Sequence, residues 1–201
     1  NARAVESPLY ARAAVLEADR QRVLLVSLDL IGLSRDLEER LRACLAARSG
    51  FPESAICIAC THTHSGPQTA GLTGWGHADD LYLETLPQRV WAAVERALAE
   101  RLPVTVGMAE VDVPGMAINR DHDCAYDRSV PVEDLLDPAW RPPRPELTDT
   151  RLRLLAFRHK GRLQGLLHTF ACHPVVCCEA STRIHGDFPG LAGARLEAAH
   201  P

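Results

Sequence analysis

Val23-Leu24-Leu25-Val26-Ser27-Leu28-Asp29-Leu30 is the stretch on which the fold turns. It is nearly continuous in apolar residues, as a strand covered on both faces should be, and so reads as the central strand of a sheet. Upstream, Leu9 to Leu16 is a second β-rich run, and the tetrad Glu17-Ala18-Asp19-Arg20 between the two has the length that closes a hairpin. Downstream, Ser34 is placed to cap a helix over about residues 35–48. Its apolar face is Leu37, Leu41, Cys44 and Leu45, and Gly50 follows as a stop. Ala55 to Thr61 is again short and apolar, hence a strand, after which His64-Ser65-Gly66-Pro67 opens a long loop that is rich in glycine as far as Gly76.

Further along, Leu83, Leu86, Val90, Val94 and Leu98 give Asp79 to Leu102 a helical period, with Pro87 expected to mark a break or a helix start. Val104 to Val113 reads as a strand. From Pro114 to Thr148 prolines and aspartates replace periodicity, the character of a functional or mobile span placed to cover an active site. Arg151 to Arg158 and Leu163 to Ala171 flank His159-Lys160-Gly161-Arg162, the punctuation of a second hairpin, and Pro189 to Ala199 begins a helix with Asp187 near its cap. Strands and helices interleave, while the two hairpins rule out an all-parallel sheet. The expected class is α/β, a mixed β-sheet flanked by helices.

With 201 residues, 46% hydrophobic and 24% charged, the chain has the composition of one ordinary globular domain spanning residues 1–201. Its 22 basic and 26 acidic residues give a net charge of -4 and no basic stripe, which argues against nucleic acid as a partner. The longest apolar runs fall far short of the roughly 20 residues needed to cross a bilayer, so the chain is not expected to be membrane-spanning. Most of the seven cysteines sit in apolar runs, where a thiol packs as a small hydrophobe, and this leans towards a reducing cytoplasm. Cys57-Ile58-Ala59-Cys60 has CxxC spacing but no second pair to complete four ligands, so core packing is expected for it. The start at Asn1, almost directly in a strand, and the stop at Pro201 give the expectation of a chain cut at both ends.

His62 and His64 are two apart at the end of a buried strand. In extended geometry both side chains leave the same face, with Cα atoms roughly 6.5–7 Å apart. That suits two ligands of one metal, or one ligand beside an acid/base group; a single such histidine would more simply be a core residue bonded to the backbone. His173, before Pro174 at another strand end, adds a third, and three protein ligands recur in catalytic zinc sites. Asp187 fits a helix cap better than a ligand. Asp29 either orients an imidazole from behind or is satisfied by backbone donors.

Thr61-His62-Thr63-His64-Ser65-Gly66-Pro67, then Ile118-Asn119-Arg120, then Phe170-Ala171-Cys172-His173-Pro174 followed by Gly186-Asp187 occur in an order that makes the chain recognisable. It resembles the neutral/alkaline (non-lysosomal) ceramidase family over essentially its whole length, as the earlier part of a family catalytic domain. The resemblance implies a zinc-dependent amidohydrolase acting on a small-molecule or lipid N-acyl substrate. His62 and His173 would bind Zn2+, His64 would act beside it, and Arg120 would contact the polarised carbonyl oxygen. These roles agree with the chemistry of zinc-activated water, a proton-carrying imidazole and a permanently charged guanidinium. Without the resemblance, Arg120 reads equally as a solvated loop charge. The family's further ligands, a glutamate and a tyrosine, and its serine nucleophile candidate would lie beyond Pro201. Two other readings stand beside this one: Ser65 or Cys172 as a nucleophile with an adjacent histidine as base, and a truncated, non-catalytic metal-binding or assembly domain.

Overall fold

The computed structural model describes residues 2–119, 139, 144–176 and 181–200. The chain divides into two compact units, one formed by residues 1–101 with 174–201 and the other by residues 102–173.

In the first unit, β1 (Ala4–Val5) pairs in parallel with β8 (Arg183–Ile184), and a second sheet has the order β2 (Ala11–Ala18), β3 (Gln21–Leu28), β4 (Ile56–Cys60). The central position expected of the Val23 to Leu30 run is the one β3 occupies. It pairs antiparallel with β2 and parallel with β4, which makes this sheet mixed. Leu24, Val26 and Leu28 are fully buried, whereas Leu25 and Ser27 on the opposite face are only half-buried, so one face is sealed and the other partly covered. Two helices do the sealing. Leu37, Leu41 and Leu45 of α1 (Arg35–Ser49) and Leu86, Val90, Trp91 and Val94 of α2 (Asp80–Ala99) share one core with β3.

The helix ends follow local chemistry. Ser34 Oγ accepts the Leu37 N–H at 3.3 Å, and Gly50 takes the left-handed conformation (φ 71°) that ends α1 and lets its N–H reach Ala46 O. Pro87 does not break α2, which runs unbroken through it. A proline there lacks one hydrogen-bonding N–H, but Leu86 and Val90 on either side are buried and hold the helix to the core. The β2–β3 connection is tighter than the tetrad expected: Ala18 pairs with Gln21, leaving Asp19 and Arg20 as the turn.

The second unit is an antiparallel sheet of β5 (Thr105–Asp112), β6 (Arg151–His159) and β7 (Arg162–Thr169). Lys160 and Gly161, both at positive φ, close the β6–β7 hairpin, the requirement of a two-residue turn with the twist of the strands. β7 ends at Thr169, so Phe170 to His173 are irregular backbone and not the strand end expected before His173. Among the described residues, the mixed α/β class is realised as three small sheets. Most of the Pro114 to Thr148 span lies outside the described residues.

Candidate metal centre

β4 runs parallel beside β3, and their pairing continues beyond its last residue: Thr61 N–H reaches Leu28 O and His62 N–H reaches Leu30 O, both at 2.9 Å. The chain then turns out of extended geometry, because His62 has φ 69°, in the left-handed region that a β-carbon disfavours. This corrects the expectation of a straight strand through both histidines. The cause is tertiary. His62 Nδ1 lies 2.6 Å from Ile31 O, so its imidazole is drawn to the backbone that follows β3.

Alternation survives the kink. Thr63 and Ser65 turn inward and are buried, whereas His62 is exposed and His64 half-buried. The two imidazoles meet edge-on, centroids 5.1 Å apart with an interplanar angle of 82°. Thr63 is the fastener beneath them: its hydroxyl donates to His185 O at 2.9 Å and accepts from Ser65 N–H, while His185 N–H donates to Ser65 O at 3.1 Å. The histidine loop is thus tied to the segment leading into α3 (Asp187–Ala199).

Ile31 O can only accept, so in this hydrogen bond His62 Nδ1 is the donor and the ring is turned with Nε2 away from that carbonyl. A metal-binding histidine commonly has its other nitrogen fixed by a carbonyl in this way. His64 is flanked on its other side by Trp75, centroids 5.2 Å apart.

Asp29 is almost wholly buried, and its carboxylate accepts from Tyr10 N–H at 3.0 Å and Arg12 Nη1 at 3.1 Å. Of the two readings open for it, this geometry matches satisfaction by donors, with a guanidinium added. Burial works against the charge on Arg12. Its hydrogen bond to Glu197 of α3 and its attraction to Asp29 outweigh that and raise its pKa. Asp187 is the first residue of α3, at φ 53°, and its Oδ1 accepts the Phe188 N–H at 2.7 Å; Gly186 precedes it as the cap residue.

Among the described residues, Cys57 and Cys60 do not form a metal or redox pair. Cys60 packs against the core, and burial pushes its thiol up to about 11, away from the thiolate a metal or redox motif needs; Cys57 is exposed. Cys172 Sγ donates to Met116 O at 3.3 Å. Ser65 is buried and not presented as a nucleophile would be.

His173 is the last residue of the second unit and is half-buried. Arg120 lies outside the described residues, as do Cys177 and Cys178. The sequence reading passed over Arg12, Thr63, Trp75 and His185. Strict alternation with the two histidines was the available signal for Thr63; the other three depend on contacts distant in sequence.

A mixed α/β fold with a pair of imidazoles at the end of a parallel strand, one of them already fixed by a carbonyl, defines a protein with a candidate metal centre. The model of the neutral/alkaline non-lysosomal ceramidase family, N-terminal, matches residues 1–201, and the chain belongs to this family. Two solved structures similar to it are neutral ceramidase from Pseudomonas aeruginosa and a ceramidase complexed with C2. Each is 21% identical with a TM-score of 0.80, over 98% of this chain and 31% of that chain, a likeness of fold. A comparison with curated proteins finds no match.

Proposed function

We propose that this chain carries the first ligands of a zinc-dependent hydrolase of N-acyl (amide) bonds, acting on a small-molecule or lipid substrate. The observation that carries the reading is the pairing of His62 and His64 just past the end of β4, ring centroids 5.1 Å apart, with His62 Nδ1 2.6 Å from Ile31 O. The family to which the chain belongs supports the same chemistry, and its match across all 201 residues supports treating the chain as part of one catalytic domain.

The residues fit the ion. Imidazole nitrogens suit zinc, and His62 offers Nε2 because Ile31 O holds Nδ1. On this reading His62 and His173 hold the ion and His64 is the neighbour that handles protons. Zinc bound there would supply Lewis acidity towards an acyl carbonyl or a water. His64 takes a proton from the attacking group and returns one to the departing amine. Arg120 is assigned to the carbonyl oxygen, where a permanent cation offsets the negative charge that builds up. The chain spans 31% of the length of the solved neighbours, and the remaining ligands and the nucleophile are assigned to sequence outside these residues.

Zinc content and N-acyl hydrolysis, measured on the same full-length preparations, test the division of labour. His62→Ala should lose both. His64→Ala should keep its zinc and lose roughly 10²–10⁴-fold in rate, the range of a missing acid/base group. Undiminished zinc in His62→Ala, or an undiminished rate in His64→Ala, contradicts the reading; zinc without turnover in the parent protein would leave a metal-binding module.

A further inference from the structure

Single exposed apolar side chains are normal on a protein surface and mean little. Trp75 differs. Half of its surface reaches solvent (50%), yet its ring stands edge-on to His64, with an interplanar angle of 66°. The loop puts it there by construction. Residues 72–75 form a turn closed by Trp75 N–H to Leu72 O at 3.3 Å, and Gly74, third in that turn, has the positive φ (83°) that this geometry requires. The base of the loop is stapled on both sides: Thr69 hydroxyl donates to Gly32 O, Ser34 N–H donates to Thr69 O at 2.8 Å, and the Gln68 amide accepts from Ala70 N–H and donates to Leu72 O. Leu72, exposed in the same turn, extends the apolar surface.

A loop so fixed could as easily have ended in a polar residue, which would leave the imidazole solvated. It ends in the largest apolar side chain, beside the one histidine assigned to proton transfer. We propose that Trp75, with Leu72, is a specificity-determining surface that takes the apolar chain attached to the scissile N-acyl bond and steers that bond towards His64. The inference rests on the reading of His64 given above. It selects N-acyl compounds carrying several methylenes over acetyl compounds, because each methylene removed from water can raise affinity roughly fourfold.

The test uses tryptophan fluorescence of the full-length protein and N-acyl amines with brominated chains, which quench an indole only on contact. The other tryptophans are Trp91, buried in the first unit's core, and Trp140. The parent should show saturable quenching by a brominated dodecanoyl amide, and Trp75→Phe should lose most of it. In parallel, Trp75→Ala should raise KM for a dodecanoyl substrate about tenfold more than for its acetyl counterpart, with Tm and zinc content unchanged. Quenching that persists in Trp75→Phe, or an equal effect on both chain lengths, overturns the proposal. Since quenching does not need turnover, a protein that binds the chain at Trp75 but hydrolyses nothing would overturn the hydrolase reading and leave the surface standing.

Discussion

The two three-stranded sheets have similar strands and opposite surroundings. In the first unit β3 and β4 lie under α1 and α2, and among the described residues the fully buried apolar side chains, from Leu24 to Val94, belong to this unit. In the second unit no described residue is buried, and β5 is exposed along its whole length, Met108 to 85%. That sheet is held by its ladder of hydrogen bonds and by ion pairs across its end, where Arg153 meets Glu110 at 3.1 Å and Asp149 at 2.9 Å. Strand formation depends on local pattern and pairing; stability depends on what covers the strand. The histidine pair grows from the covered sheet. A site that must hold two imidazoles in fixed relation gains from rigid support.

The largest expected effect sharpens this contrast. Leu41→Ala, at the centre of α1's buried face, should destabilise the first unit by about 2–5 kcal/mol, whereas Met108→Ala should shift stability by no more than about 0.5 kcal/mol. Denaturant unfolding of both variants measures the difference, and equal losses would mean that β5 is covered in the protein as it exists.

Next in size is the buried carboxylate. Arg12→Leu strips Asp29 of its cation while leaving it buried, at an expected cost of about 2–3 kcal/mol, less than for a wholly buried pair because Arg12 is partly solvated. If thermal unfolding of the variant matches that of the parent, Tyr10 N–H alone suffices for Asp29.

The smallest effect belongs to the exposed end of the second sheet. The hydrogen bond from Arg151, with those from the backbone and Arg153, holds Asp149 well below the usual 3.8, at about 2. Because the folded value is the lower one, the stabilisation is fully present above about pH 4 and is lost as the pH falls towards 2. Solvent reaches and screens this cluster, so Asp149→Asn should only flatten the acid limb of amide-exchange protection in β6. An unchanged limb would show that the cluster contributes nothing measurable.

Much of the first unit was legible because its signals are local. The apolar run from Val23 marks a central strand, Ser34 and Gly50 bracket α1, and charged residues punctuate the β2–β3 hairpin. The closeness of His62 and His64 was legible from their spacing, although both lie past the end of β4 and not on an extended strand. What escaped is what distant contacts decide. Ile31 O pulls His62 into a left-handed conformation, core packing carries α2 through Pro87, Arg12 finds Glu197 across the length of the chain, and a stapled turn brings Trp75 to His64. The bareness of β5 has no sequence signature either, because Val106, Met108 and Val111 read like residues of any covered strand.

Zinc K-edge X-ray absorption of the zinc-loaded full-length protein tests the central claim most directly. Imidazole scattering with Zn–N distances of about 2.0–2.1 Å from at least two histidines is expected, and in His62→Ala the zinc signal should be lost. A first shell of sulfur at about 2.3 Å, the signature of cysteine ligation, or a spectrum unaltered by His62→Ala would contradict it.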